Sequence, residues 1–398
     1  MRIELALPPS TRDLRLDLFR GLANWLMFLG HVSTSVLAWF SFRNYGFSDG
    51  ADLFVFISGY TSAMVFGRRM LEGGFVFGTT RLLRRVWQIY TAHILLFVFY
   101  LASVHFLSGD APGLIDRFNV APLVNAPVEA VTQGLLLRYK PLNLDVLPLY
   151  VVLMGAFPPV LWLMLRHRNW VMLGSILLYL AARQFGWNLP SYPSGVWYFN
   201  PFAWQLLFVL GAWLALGGAK TVHVLVRSRA VLVFGLAYLL FAAVLTLAGL
   251  LPELQRVLPS ALFEAFNPND KTNLAPYRFL HLAIVIVLGA RLIPIDAVGL
   301  RAPVWKPLIK CGQQSLEVFA VGIYLSFIGY FILTTTSGGI LAQLLVGAAG
   351  IAIMTGVAYY RSWSKRVEKS AHAHGGPPTM SRTSEPARPT EKSAVRVA

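Results

Sequence analysis

Ten stretches of the chain are apolar over lengths close to the roughly 20 residues that a bilayer-crossing helix requires. They lie at about 18–40, 51–67, 86–107, 145–165, 169–185, 202–217, 230–250, 277–293, 311–333 and 339–360. Polar joints separate them: a short one at 41–50, long ones at 108–143 and 252–276, and a Pro/Gly/aromatic loop at 188–201. A basic joint holding Arg68, Arg69, Arg81, Arg84 and Arg85 precedes the third stretch, and Pro158-Pro159 predicts a bend in the fourth. The pattern predicts an all-α integral membrane protein of about ten transmembrane helices in one bundle. Three segments follow: 1–17 before the first helix, 18–360 as the membrane domain, and 361–398 as a disordered basic tail rich in Ser, Pro, Lys, Arg and Glu.

Composition agrees with lipid as the solvent. Hydrophobic residues make up 56% of the 398 and charged ones 13%, about half the charge a soluble domain carries. With the N-terminus placed in the cytoplasm, 26 of the 34 Lys and Arg residues fall on that side, eight of them in the tail. The other eight are Arg43, Arg117, Arg138, Lys140, Arg183, Arg256, Lys271 and Arg278. This bias predicts that both termini are cytoplasmic. It also accounts for the net charge of +16, so no nucleic-acid partner is expected. The single cysteine, Cys311, excludes an intrachain disulfide and a cysteine metal cluster. His372 and His374 in the tail do not make a closed metal site, and no metal is expected. The first apolar stretch is too long for a signal-peptide core and is read as a retained helix.

Ionisable groups inside a membrane segment are costly and mark function. Asp17, Arg20, Asn24, His31 and Ser35 fall on one helical face. Arg20 and His31 are then about 16 Å apart along the axis, with His31 past the middle of the first crossing. Separately, Arg20 could be an interfacial anchor and His31 a partner of a neighbouring helix; the whole stripe favours a shared polar pathway. Asp52, opening the second stretch, either orients His31 as a carboxylate partner or caps its own helix. Arg81, Arg84, Arg85 and Gln88 share a face, and either grip phosphate bidentately or serve as topogenic charge. On the opposite side, three runs mix aromatic rings with amides and carboxylates: 141–150 with Asn143 and Asp145, 197–205 with Trp197, Asn200 and Gln205, and 270–278 with Asp270 and Asn273. Such a mixture suits a carbohydrate as well as an interfacial aromatic belt. Glu317 is a further carboxylate near a membrane stretch. No P-loop, dinucleotide fingerprint, zinc motif or nucleophile elbow is present.

Taken in order, these segments resemble the OpgC family, relatives of the type-3 membrane acyltransferases. The resemblance rests on the opening from Arg12 to Gly21, the Arg20-x10-His31 pair and the segment from Gly50 to Tyr60. The Arg81-x-x-Arg84 pair and the runs 141–150, 197–205 and 270–276 add to it. It implies a multi-pass enzyme of the bacterial inner membrane that moves an acyl group from cytoplasmic acyl-CoA to a hydroxyl of a periplasmic glucan or another envelope polysaccharide. Namesake members succinylate osmoregulated periplasmic glucans. On this resemblance His31 is the catalytic histidine, with Arg20 its motif partner and Asp52 beside it. Arg81, Arg84 and Arg85 hold the acyl-CoA phosphates, acyl-CoA being a co-substrate with no cofactor bound tightly. Asn143, Asp145, Trp197, Asn200, Gln205, Asp270 and Asn273 meet the saccharide. Asn24 and Arg20 are candidate donors to the developing oxyanion. The expected partners are membrane lipid, acyl-CoA and the polysaccharide acceptor. A transporter or flippase for an acylated glycan or small anion is the alternative that the buried charges allow.

Overall fold

A computed structural model of the chain describes residues 13–107, 109 and 113–374. Its long elements are all helices. Among the described residues the only extended pairing is an isolated bridge between Pro190 and Val196.

Helix α1, Leu14–His31, starts where Asp13 accepts from the Arg15 backbone N–H at 3.0 Å. It ends at His31, well short of the expected residue 40. Ser35 then caps a 3-10 turn, Val36–Phe40, accepting from Leu37 N–H, and a second turn follows at Phe42–Asn44. Hydroxyl side chains at 33–35 offer the backbone local bonds that compete with a helix. Two consequences correct the sequence reading. His31 closes the helix instead of lying inside a longer crossing, and Ser35 leaves the polar stripe to serve as a cap.

Helix α2, Gly50–Leu107, is interrupted once, at Gly74 (φ 81°, ψ 174°). The chain reverses there: a side chain on Gly78 would collide with Met70, eight residues back, a separation of about 12 Å in a continuous helix. Helix α3, Val146–Phe185, has its non-helical residue at His167 (φ −136°, ψ 52°), not at Pro158-Pro159 where the bend was expected. Then come α4 (Pro201–Trp213), α5 (Arg229–Ala248) and α6 (Pro276–Leu292). The stretch expected at 311–333 breaks at Gln314 (φ −113°, ψ 39°) into α7, Lys306–Gln313, and α8, Ser315–Thr335. Helix α9, Ile340–His374, runs past the expected boundary at 360, so the tail does not start at 361. The remainder of that predicted tail, like residues 1–12 of the N-terminal segment, lies outside the described residues.

Six helical segments among the described residues are long and apolar enough to cross a membrane: Gly50–Leu107, Val146–Phe185, Pro201–Arg227, Arg229–Ala248, Ser315–Thr335 and Ile340–Glu368. Large apolar side chains such as Phe99, Phe106, Leu177, Leu240, Leu341 and Leu345 stand more than half exposed along them. Such a surface is stable against lipid and would aggregate in water.

Backbones approach closely where glycines meet, the usual route to tight packing between membrane helices. Gly59 of α2 lies on the Phe208 carbonyl of α4, and Gly211 of α4 on the Phe56 carbonyl. Likewise Gly21 of α1 lies on the Leu308 carbonyl and Gly312 on that of Asp17. The main core joins α2, α3 and α4 through Phe54, Phe157, Trp204 and Phe208. A second cluster, with Phe28, Val318 and Met354, fixes α1 against α8 and α9. Helix α1 is therefore held on both sides, and its polar face is presented at a fixed angle to α2 and α8.

Candidate active site

The α1 face keeps its polar residues together. Arg20 Nη2 donates to Thr61 Oγ1 of α2 at 2.6 Å, and Thr61 donates onward to the Ile57 carbonyl at 2.9 Å. Asn24 is 2% exposed; its Nδ2 reaches the Ser315 carbonyl at 3.5 Å, while its Oδ1 has no hydrogen-bond partner. At the end of the helix, His31 Nδ1 is buried and also unpartnered. Buried polar atoms are nearly always satisfied, by water or ligand if not by protein. Two orphans along the face that begins with Arg20 mark a lining that something else must complete.

The charged groups close enough to act on His31 are Lys271, Arg43 and Asp49. Lys271 donates to Asp49, whose other oxygen accepts from Ala51 N–H at 2.8 Å and so caps α2. Beside them Arg278 grips Asp52 with two bonds, Nε to Oδ1 at 2.9 Å and Nη2 to Oδ2. It also reaches Asp49 at 3.0 Å and the Phe47 carbonyl at 2.6 Å. Burial alone would raise Asp49, but the Lys271 and Arg278 cations reverse this and hold it far below the ordinary carboxylate range. Two carboxylates and two cations thus form a closed, neutral set. Asp52, fully buried, spends its second oxygen on Asp49 N–H as well. It does not bond His31, and this replaces the expectation that it orients the imidazole. Asp49 and Lys271 occupy that neighbourhood instead.

The three polar runs converge on the same end, mostly by bonding one another. Asn200 caps α4 by accepting from Phe202 N–H, and its Nδ2 donates to Trp187 O and Asn273 Oδ1. Asp270 accepts from Asn273 N–H and pairs with Arg183 at 3.0 Å. Asn200, Asn273 and Asp270 are therefore joined in one clamp that fixes the loop carrying Lys271; their side chains are committed to it. Gln205 is held elsewhere, bonded to Ser175 of α3 through Oε1 at 2.6 Å and Nε2 at 2.9 Å, away from the other six. Lys271 lies 5.2 Å from the Phe199 ring and 5.9 Å from that of Tyr198, and Lys140 stands 3.9 Å over Trp197. Burial pushes the Lys140 ammonium down to about 8, against the opposing pull of Asp145. Asp145 feels both lysines, and the side chain of Asn143, held at φ 70°, has no hydrogen-bond partner among the described residues. Trp197 is itself buried, 4% exposed beneath Lys140, so of the seven only Asn143 and Asp145 remain as partly exposed residues that a saccharide could meet.

The cap by Asp49 was within reach of sequence reasoning, but the pairing of Lys271 with Asp49 and of Arg278 with Asp52 was not, because the partners are over 200 positions apart along the chain. That reasoning also missed His93, fully buried in α2 with neither ring nitrogen bonded, and the Ser48–His281 pair at 2.7 Å. A histidine in the middle of an apolar stretch was the available signal for His93.

At the opposite end of the molecule Arg81 and Arg84 line a recess of about 500 Å³ with Gly73, Val76, Phe77 and Thr80. Arg85 is not among its lining. Its Nη1 donates to Gln88 Oε1 at 3.1 Å, and the charge that acts on it is Glu317 of α8. The expected cluster of three arginines is thus a pair and a single residue facing different surroundings.

The sequence model of the OpgC protein family matches residues 12–366 of the chain. No curated protein and no solved structure matches it.

Proposed function

The chain belongs to the OpgC family, and from that premise we propose that it is an O-acyltransferase moving an acyl group from cytoplasmic acyl-CoA to a hydroxyl of a periplasmic glucan or related envelope polysaccharide. In this reading α2 and α3 each cross the membrane twice, bringing the crossings to ten, with both termini in the cytoplasm and the protein in a bacterial inner membrane. The observation that carries the proposal is His31: a buried ring nitrogen without a partner, at the end of the polar α1 face, among Lys271, Asp49 and Arg43.

Neutral His31 takes the proton of the acceptor hydroxyl as its oxygen attacks the thioester carbonyl. The tetrahedral oxyanion collapses, the carbon–sulfur bond breaks, and the imidazolium returns the proton to the departing thiolate. Lys271 is the donor suited to the oxyanion, because its charge acts on His31 directly. Asn24 and Arg20 are seven and eleven residues back on α1, about 10 and 16 Å down the axis. They are too far to bond the reacting carbonyl and instead line the donor's path. Saccharide binding falls to Asp145 and Asn143.

The test uses the detergent-solubilised protein with an acyl-CoA and a glucan acceptor, following release of free thiol. His31→Gln is expected to insert and unfold like the parent while transfer falls by about 10²- to 10⁴-fold. Transfer at the parental rate would sink the scheme. A transporter would consume no thioester in detergent.

A further inference from the structure

Two cations meet one carboxylate at the foot of α8, the end of the bundle away from His31, and a third feels its charge. Arg361 Nε and Lys365 Nζ of α9 lie 3.3 Å and 3.7 Å from the same Glu317 oxygen, Oε1. Arg85 of α2 is acted on by that carboxylate too. Gln314, in the break between α7 and α8, ties the group together: its Oε1 accepts from Lys365 at 2.6 Å and its Nε2 donates to Ser362 Oγ at 3.1 Å. One ion pair would suffice to fasten α9 to α8. The set instead holds two positive charges more than Glu317 neutralises. The side chains of Arg361, Lys365 and Glu317 are 38%, 46% and 27% exposed, so an anion arriving from water can reach them.

Asn24 of α1 meets the chain of α8 close to this group. Its amide touches the carbonyl of Ser315, two residues from Glu317, and its buried Oδ1 lacks a donor. A ligand that satisfies both features carries several phosphate charges at one end and an amide N–H on an arm that enters the bundle. The Arg81–Arg84 recess offers no such route, since all its lining residues belong to one stretch of α2, 73–84.

We propose that Arg85, Arg361 and Lys365 form the phosphate seat of a nucleotide-linked thioester, with Glu317 holding them gathered until the phosphates displace it, and that Asn24 Oδ1 accepts an amide N–H of the donor's arm. This rests on the acyl-CoA reading above. Cationic side chains bind phosphate as charge-assisted donors, and through Ser315 the seat adjoins Asn24 on the polar α1 face.

Binding of free CoA, and of adenosine 3′,5′-bisphosphate, which has no arm, is measured by calorimetry on the solubilised full chain at two salt concentrations. The double variant Arg361→Gln/Lys365→Gln is expected to weaken CoA at least tenfold and to flatten the salt dependence. Glu317→Gln is expected to tighten it several-fold, because a competing anion is removed. Asn24→Leu is expected to weaken CoA and leave the bisphosphate unchanged. Opposite signs at Glu317 and at its cations are the discriminating result: a mere latch between α8 and α9 makes all these variants weaken binding together, and that outcome overturns the seat. Parental CoA affinity in the double variant overturns it as well, and equal losses for the two probes in Asn24→Leu overturn the Asn24 assignment. In each of these cases the donor reading survives. If the parent protein binds no CoA, the donor reading and the seat fall together.

Discussion

At the scale of single residues, the outer end of the bundle is governed by the price of burying charge. Asp52 and Arg278 have 0% and 3% of their side chains exposed, and the buried Asp52 carboxylate is tolerable because Arg278 is there. Breaking one partner of such a pair costs about 3–5 kcal/mol, whereas replacing both by apolar groups costs far less. Asp52→Leu should therefore lower the thermal unfolding midpoint in detergent strongly, and Asp52→Leu/Arg278→Met should recover much of the loss. A double variant no better than the single one would show that the pair's bonds matter beyond mutual neutralisation. Lys140 supplies a pH signature. Its folded value lies near 8, below its ordinary 10.5, so folding favours the neutral amine. The associated stability is full above about 10.5 and is lost as pH falls through 8. Lys140→Met should flatten the slope of stability against pH in that window. The sequence made Arg20, Asn24 and His31 legible because they share one helix and its period. It could not reveal that Asp52 belongs to Arg278, 226 positions away, so the pairing lay outside both readings the sequence offered for this carboxylate.

At the scale of elements, apolar stretch length located the helices, and it failed where a break is made by backbone geometry. The end of α1 at His31 follows from local hydroxyl chemistry at 33–35, which hydropathy averages away. The break at Gln314 leaves α7 free to lay Gly312 against Asp17, a contact that no periodicity encodes. Gly74 is the sharpest of these points. At φ 81° and ψ 174° it occupies a region essentially closed to residues with a side chain, where strain is about 1–3 kcal/mol. Nothing lies within 4 Å of where its Cβ would be, so Gly74→Ala tests backbone strain alone. It should lower the unfolding midpoint. Gly356→Ala, in the regular helix α9 and equally free of neighbours, should leave it unchanged or slightly raised. Equal effects at the two positions would mean that the α2 reversal does not depend on the glycine backbone.

At the scale of the whole molecule, the two ends of the bundle differ in chemistry, and that difference constrains the reaction. One end gathers Lys271, Asp49 and Arg43 around His31. The other presents Arg81, Arg84, Arg85, Arg361 and Lys365. Under the proposed reaction, two polar substrates that cannot cross lipid meet only if each approaches from its own side, with the α1 face spanning the distance between them. The charge bias of the sequence assigns the arginine-rich end to the cytoplasm, and chemical labelling can check this directly. Cys311 is fully buried and should stay silent toward a membrane-impermeant maleimide. Ser194→Cys lies in the exposed loop before α4, and Glu72→Cys at the exposed tip of the α2 reversal. In intact spheroplasts Ser194→Cys should label at once, and Glu72→Cys only after the membrane is permeabilised. Immediate labelling of Glu72→Cys would invert the molecule, set the arginine-rich end on the side that holds no CoA, and remove the physical basis for the proposed donor entering along α1.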